Sequence, residues 1–228
     1  MHILVATKNS NKAQEIQQIV QTLARVWAFG DFSKLDLLEN QATYYGNAAS
    51  KARIAAEWAI QNRFWNIVGC NDLFFILADD SGLEVDALSG APGVFSARFD
   101  EVMAGTIKTQ GDSRDARNNS LLLKLLDGVI DRRARFRCIL AVFAVDPKIQ
   151  KILPTNGPMF FEGVCEGSII ETPKGSNGFG YDPLFVPDGY NCTFAELQDY
   201  EKNRISHRGN AIKHFIDWVK KQDQRSLT

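Results

Sequence analysis

Leu73–Ala87 reads LFFILADDSGLEVDA. Its first six residues, Leu73–Ala78, form an uninterrupted apolar run, the pattern of a strand buried on both faces of a sheet. Asp79, Asp80, Ser81 and Gly82 follow and favour turns, so the run is expected to end in a turn at a sheet edge before Leu83–Ala87 resumes as a strand. Two adjacent carboxylates at such a strand end allow two readings. One is a purely local polar turn. The other is a pair that ligates a hard cation or activates water, because magnesium prefers oxygen ligands and keeps several waters.

Working outward, Ile3–Ala6 reads as a short buried strand, and Thr7–Lys12 leads from it into a helix with Ile16, Ile19, Val20 and Leu23 on one face. A second helix is expected over Tyr45–Ile60, where Ala48, Ala52, Ala55, Ala56 and Ala59 combine high helix propensity with helical spacing, and Lys51 projects from it. Beyond a loop around Gly90–Gly93, a helix is expected from Asp112 to Leu126 and a long buried strand over Phe136–Val145, with Phe160–Glu171 as its antiparallel neighbour. Gly175–Pro183 is a glycine-rich loop, Leu184–Val186 a short strand, and the last helix starts near His207 with Ile212, Phe215, Ile216 and Val219 inward. Strands alternating with helices, and a strand-rich second half, argue for an α/β protein with a mixed sheet.

With 228 residues, 45% of them apolar, the chain can bury a substantial core as one large domain or two closely joined lobes. Its 26 Lys and Arg nearly balance 27 Asp and Glu. No general attraction to a nucleic acid polymer or an anionic membrane follows, so an anion site must be a local arrangement. The N-terminal apolar run is too short for a signal peptide, and no segment reaches the roughly 18 apolar residues of a membrane span, so a cytoplasmic location is expected. Cys70, Cys138, Cys165 and Cys192 lie far apart in sequence, without zinc or disulfide spacing, and read as reduced packing residues.

Several polar residues have both a chemical and a structural reading. Lys12 lies in the first turn of a helix, where free backbone amides and a full positive charge suit a phosphate, and Thr7 and Asn9 can add donors. Glu39 and Lys51, taken singly, are ordinary solvated charges. The loop Gly175–Asp182 does not match the dinucleotide fingerprint and is followed by Pro183 and a strand, so that reading fails. A tight glycine turn is the plain alternative, and its Phe179 and Tyr181 can offer a stacking face to a purine. Ser206 and His207 are adjacent and diverge, which rules against a nucleophile and base pair; Ser206 reads as a helix cap. His207 and Arg208 are suitable donors to a purine carbonyl and Lys202 to a phosphate.

Taken together, ATKNSNK (Ala6–Lys12), NAASKA (Asn47–Ala52), ADDSGLEVDALSGAPGVFSARF (Ala78–Phe99), GFGYDPLFVP (Gly178–Pro187), TFAEL (Thr193–Leu197) and EKNRISHRGNA (Glu201–Ala211) resemble the Ham1 family of inosine triphosphate pyrophosphatases, in order and over nearly the whole chain. The resemblance implies a single domain over residues 1–228, with an elongated mixed β-sheet flanked by helices in two lobes around a central active-site cleft. It also implies hydrolysis of ITP, dITP or XTP to the monophosphate and pyrophosphate, with Mg2+ as cofactor, in a homodimer. By the same resemblance Thr7, Asn9, Lys12 and Lys51 contact the triphosphate, Glu39 and Asp80 bind metal, and Asp80 is the catalytic carboxylate with Ser81 beside it. Phe179, Gly180, Tyr181, Asp182, Lys202, His207 and Arg208 become base and phosphate contacts. Two departures stand out: Gly46 replaces a Glu common in the family, which weakens a helix N-terminus, and the loops Phe64–Asp72 and Asp146–Pro158 are longer than the common pattern.

Overall fold

The computed structural model describes residues 1–103 and 109–225; the remaining residues of the expected domain lie outside the described ones. In chain order the elements are β1 (His2–Val5), α1 (Ser10–Val20), β2 (Arg25–Ala28), α2 (Tyr44–Gln61), α3 (Phe64–Val68), β3 (Phe74–Val85), α4 (Phe99–Val102), α5 (Arg114–Leu125), β4 (Arg133–Asp146), β5 (Lys151–Leu153), β6 (Met159–Ile169), β7 (Phe185–Pro187), α6 (Asp199–Ile205) and α7 (His207–Arg225). The strands lie in the order β2-β1-β3-β4-β6-β7, with β5 paired to β4. β1 is parallel to β2 and to β3, whereas β4 with β5 and β6 with β7 are antiparallel, so the sheet is mixed as expected. The chain divides into two compact units, one of Met1–Asp80, Cys138–Gly163 and Arg208–Thr228, the other of Ser81–Arg137 and Val164–His207.

The first unit is built on strict alternation. Phe74, Ile76 and Ala78 of β3, with Ile139, Ala141, Phe143 and Val145 of β4, pack on one face against Ala48, Ala52, Ala55, Ala56 and Ala59 of α2. Phe75 and Leu77, with Cys138, Leu140, Val142 and Ala144, pack on the other against Ile16 and Val20 of α1 and Ala211, Ile212 and Phe215 of α7. A strand buried on both faces has no polar position to spare, which is why these segments read as continuous apolar runs. The alanines of α2 bring its backbone close to the sheet.

The second unit has its own core: Leu83 and Val85 of β3, Leu122 of α5 with Leu126, Ala134 and Phe136 of β4, Cys165 and Ile169 of β6, and Phe185 of β7, joined by Tyr181, Leu184, Phe194 and Leu197. Here β4 alternates Arg133, Ala134, Arg135, Phe136, Arg137, with the apolar residues inward. On the polar face Arg135 pairs with Asp86 and Glu166, and Arg137 with Glu84.

The structure corrects the sequence reading in several places. No turn forms at Asp79–Gly82: β3 runs unbroken from Phe74 to Val85, because its partners on the sheet outweigh the local turn preference of Asp, Ser and Gly. Leu23 lies beyond the end of α1 and is 50% exposed. β4 starts at Arg133, three residues before Phe136. The long loops are not structureless: α3 buries Phe64 and Trp65 in the first core, and Lys151–Leu153 pairs with β4. α6 was not foreseen, whereas Ser206 does stand immediately before α7 with the extended backbone of a cap position, as expected. Gly46 does not leave α2 uncapped, since the Thr43 hydroxyl accepts the Gly46 N–H at 3.1 Å. A Cβ at Gly46 would meet the Gln41 Cβ at 2.8 Å.

Gly167 of β6 lies against β7 so closely that a Cβ would fall 2.3 Å from the Val186 carbonyl and 2.7 Å from the Phe185 ring. Gly167→Ala is therefore expected to destabilise the protein by about 1–3 kcal/mol, read as a lower urea midpoint; an unchanged midpoint would mean that this pairing relaxes freely.

Candidate active site

Asp79 and Asp80 are consecutive in β3, so their side chains leave the sheet on opposite faces. Asp79 points to the α1 and α7 side. Its Oδ2 receives Lys12 Nζ at 2.9 Å and the Arg208 guanidinium at 3.0 Å. Arg208 in turn pairs with Glu15, which lies one helical turn beyond Lys12 on α1. Burial alone would raise the Asp79 pKa, but Lys12, Arg208 and Lys51 overcome it and hold the carboxyl well below the usual range. The Arg208 guanidinium, also fully buried, is pushed up by Asp79 and Glu15 against the effect of burial. Asp79 is a fixed anion.

Asp80 points the other way, to α2. Its Oδ2 accepts the Asn47 amide at 3.0 Å, and its Oδ1 lies 3.6 Å from Lys51 Nζ. Asn47 and Lys51 are four residues apart and so share a face of α2. Here burial dominates: it raises the Asp80 pKa although Lys51 and Asn47 pull it down. The two neighbouring carboxylates thus differ: Asp79 is held as an anion by its cations, and burial raises the proton affinity of Asp80.

Lys51 is the hub of this face. Its ammonium donates to Glu39 Oε1 at 2.6 Å and to the Asp79 carbonyl at 2.7 Å, and is buried. Burial lowers its pKa, but Asp80, Asp79 and Glu39 outweigh that and keep it protonated. Glu39, half of whose side chain remains accessible, is opposed by burial and held anionic by Lys51. Two carboxylates from separate segments therefore converge on one positive charge. No group of three or more His, Cys, Asp and Glu side chains suited to a metal occurs among the described residues. The donor set fits a hard cation that takes one or two carboxylates and fills its remaining positions with water and phosphate oxygens.

At the N-terminus of α1, Asn9 Oδ1 caps the helix by accepting the N–H groups of Asn11 and Lys12 at 2.9 and 3.3 Å, and Thr7 Oγ1 accepts the Asn9 N–H at 3.0 Å. These bonds use the acceptor atoms of the two side chains, so the Thr7 hydroxyl hydrogen and the Asn9 Nδ2 group remain the donors that the sequence suggested for an anion.

In the second unit, Phe179–Asp182 forms a knot of contacts. Asp182 Oδ2 accepts the Phe179 N–H at 2.9 Å and pairs with Lys202 Nζ at 2.8 Å. The same ammonium sits 5.1 Å from the Phe179 ring centre and 5.9 Å from that of Phe194. Tyr181 donates its hydroxyl to the Ser96 carbonyl at 2.9 Å, and burial drives its pKa far up, so it stays a neutral donor. His207 is buried and stacks on Phe136 with ring centres 4.8 Å apart. Ser81, the first residue of this unit, is half-buried in β3.

The structure thus brings Lys12, Glu39, Lys51, Asp80 and Arg208 into one charged network in the first unit, and Phe179, Tyr181, Asp182 and Lys202 into one loop cluster in the second. Arg208, read from sequence as a base contact, pairs through its guanidinium with Asp79 and Glu15. Asn47 and Glu15 escaped the sequence reading. Their signal was present in their spacing: Asn47 four residues before Lys51, Glu15 three after Lys12.

Arg208→Ala leaves Asp79 buried with one fewer cation and is expected to destabilise the fold by about 3–5 kcal/mol, with part of that loss recovered by adding Asp79→Asn. Wild-type stability of Arg208→Ala in guanidinium titration would show that Asp79 does not depend on it.

The chain matches the family model described as "Ham1 family" over residues 3–218. It is 42% identical over 221 residues to the dITP/XTP pyrophosphatase of Desulforamulus reducens, covering 95% of this chain and 94% of that one. It is 37% identical to the dITP/XTP pyrophosphatase of Aquifex aeolicus, covering 96% and 97%. Among solved structures, the Ham1 protein of Staphylococcus aureus superposes with a TM-score of 0.71 at 30% identity, over 97% of this chain and all of that one. The HAM1 protein of Coxiella burnetii gives the same TM-score at 36% identity, over 97% and 99%. On its sequence, its mixed sheet and its solved relatives alike, the chain belongs to the Ham1 family.

Proposed function

We propose that the protein hydrolyses non-canonical purine nucleoside triphosphates, ITP, dITP and XTP, to the monophosphate and pyrophosphate, sanitising the nucleotide pool. The observation that carries this reading is the convergence of Glu39, Asp80 and the Asp79 carbonyl on the buried Lys51 ammonium, with Lys12 paired to Asp79 on the other face of the strand. The activity in the names of the relatives, dITP/XTP pyrophosphatase, supports the same substrate class.

In this proposal Lys12 and Lys51 face the triphosphate, whose roughly four negative charges a nearly neutral protein cannot otherwise balance. Thr7 and Asn9 hold the turn that presents Lys12. Glu39 and Asp80 would hold Mg2+, which would supply Lewis-acid polarisation of phosphate oxygens and charge neutralisation for pyrophosphate. Asp80, oriented by Asn47 and Lys51, positions a water and takes its proton as the oxygen attacks the α-phosphorus; the bond to the α–β bridging oxygen breaks and pyrophosphate leaves. Asn47 keeps the Asp80 carboxylate turned toward this water. Phe179, Gly180, Tyr181, Asp182 and Lys202, with Ser81, form the base side, and His207 donates to O6 of a 6-oxo purine. Arg208 serves by holding Asp79. Homodimerisation and a cytoplasmic location accompany the reading; among the described residues no helix is long and apolar enough to cross a membrane.

Incubating the protein with ITP and Mg2+ should release pyrophosphate and IMP. Orthophosphate would reassign the attack to the terminal phosphate, and no release at all would leave a binding module. Asp80→Asn keeps the shape but loses the base, so turnover should fall about 10²–10⁴-fold while calorimetric ITP binding persists. Undiminished turnover would remove Asp80 from the chemistry.

Adenine presents an amino donor where hypoxanthine presents O6, so a donor at His207 discriminates against ATP. His207→Ala should narrow the ITP to ATP ratio of kcat/KM by about fivefold, as expected for one neutral hydrogen bond. An unaltered ratio would place the readout elsewhere.

A further inference from the structure

One glycine of the base-side loop is gripped through its backbone from a helix that carries none of the residues assigned above. The Gly180 N–H donates to Asp115 Oδ2 at 2.8 Å, and the Gly180 carbonyl accepts the Asn119 side-chain amide at 3.0 Å. Asp115 and Asn119 are four residues apart on α5 and share a face. Gly180 adopts φ +64° with nothing within 4 Å of an added Cβ, so the position demands a left-handed backbone and not a small side chain.

Both prongs are deliberate in their chemistry. Asp115 lies in the first turn of α5, after the Ser113 cap, where a carboxylate is stabilised by the helix dipole and accepts a charge-assisted hydrogen bond. Asn119 Oδ1 is buried and accepts no hydrogen bond from the described residues. An unpartnered buried acceptor is a cost, and the amide bears it with its donor end on the Gly180 carbonyl; packing alone would be better served by an apolar residue. The flanks of Gly180 are pinned as well: Tyr181 to the Ser96 carbonyl, which Asn118 of α5 also holds at 3.3 Å, and Phe179 through Asp182. α5 therefore holds Gly180 directly through Asp115 and Asn119, and Asn118 shares the Ser96 carbonyl with Tyr181.

We propose that Asp115 and Asn119 are positioning residues for purine binding, a two-pronged backbone clamp on Gly180 that fixes the plane of the adjacent Phe179 ring. The proposal rests on the reading of this loop as the base site. Phe179, half-buried, has an ordinary phenylalanine's freedom about its side-chain torsions, but the ring can meet a base flat only if the backbone on either side is held. The clamp supplies that hold without touching the nucleotide.

The test uses the full chain with Mg2+ and initial rates over a range of ITP concentrations. Asp115→Ala and Asn119→Ala should each raise KM about tenfold with kcat changed less than about threefold, because a loosened loop weakens ground-state and transition-state binding alike. Asp115→Asn retains an acceptor for the Gly180 N–H and should return KM close to that of the unaltered protein. Asn119→Asp puts a carboxylate against the Gly180 carbonyl and beside Asp115, so its KM should exceed that of Asn119→Ala. Both of these near-isosteric variants carry the test if an alanine variant fails to fold in a thermal melt. Phe179→Ala reads the base site directly and should raise KM. An elevated KM in Phe179→Ala with unchanged values in both alanine clamp variants overturns the clamp and leaves the base site standing. Unchanged KM in Phe179→Ala overturns the base-site reading and the clamp with it. A milder effect of Asn119→Asp than of Asn119→Ala, or a loss confined to kcat, assigns these residues to packing and overturns the proposal.

Discussion

The alternation of side chains along β3 is the constraint from which the first unit follows. Because Asp79 and Asp80 sit one residue apart in an unbroken strand, they emerge on opposite faces and meet different helices. Each buried charge then needs its own partners, since an unpaired carboxylate in such surroundings costs several kcal/mol. Lys12 and Arg208 provide them for Asp79, with Glu15 in turn pairing Arg208, and Asn47 and Lys51 provide them for Asp80. Charge pairing therefore orients α1, α2 and α7 on the sheet where the apolar cores alone would tolerate some sliding. The electrostatic difference between the two carboxylates is a consequence of that geometry: two cations on Asp79, one amide and one more distant ammonium on Asp80.

The second unit solves its positioning problem by different means. Its loop carries glycines at φ +75° and +64°, at Gly178 and Gly180, and a Cβ at Gly178 would lie 2.0 Å from Asp182 Oδ2. Such a backbone is held by hydrogen bonds to main-chain atoms from Asp115, Asn119 and Asp182, and by Lys202 set among a carboxylate and two rings. Glycine makes the turn sterically possible, and the surrounding polar side chains make it singular. Rigid groups around a half-exposed aromatic ring are what a recognition surface for a flat base requires.

Much of the architecture was legible in the sequence because it depends on local pattern. Alanine spacing marked α2, the apolar periodicity marked α1 and α7, and the continuous runs marked β3 and β4 as doubly buried. The places where pattern misled are those where long-range pairing competed with local preference. Asp79–Gly82 has the composition of a turn, yet neighbouring strands extend β3 through it. Phe64 and Trp65 sit in what read as a long loop because their burial depends on a core assembled from β1, β3 and β4. The first residues of β4 alternate arginines with Ala134 and Phe136, a half-buried strand pattern distinct from the continuous apolar run that follows.

By itself, then, the sequence determined the mixed α/β class, the helix and strand cores and the family, since these rest on periodicity, propensity and ordered motifs written within short windows. It also named the charged residues worth watching. Only the tertiary structure decided which of them meet: that Arg208 serves Asp79, that Asn47 serves Asp80, and that α5 grips Gly180. Those pairings span 33 to 129 residues of chain. Hydrogen bonds and ion pairs act over a few ångströms and are indifferent to sequence separation, so no local pattern can encode their partners.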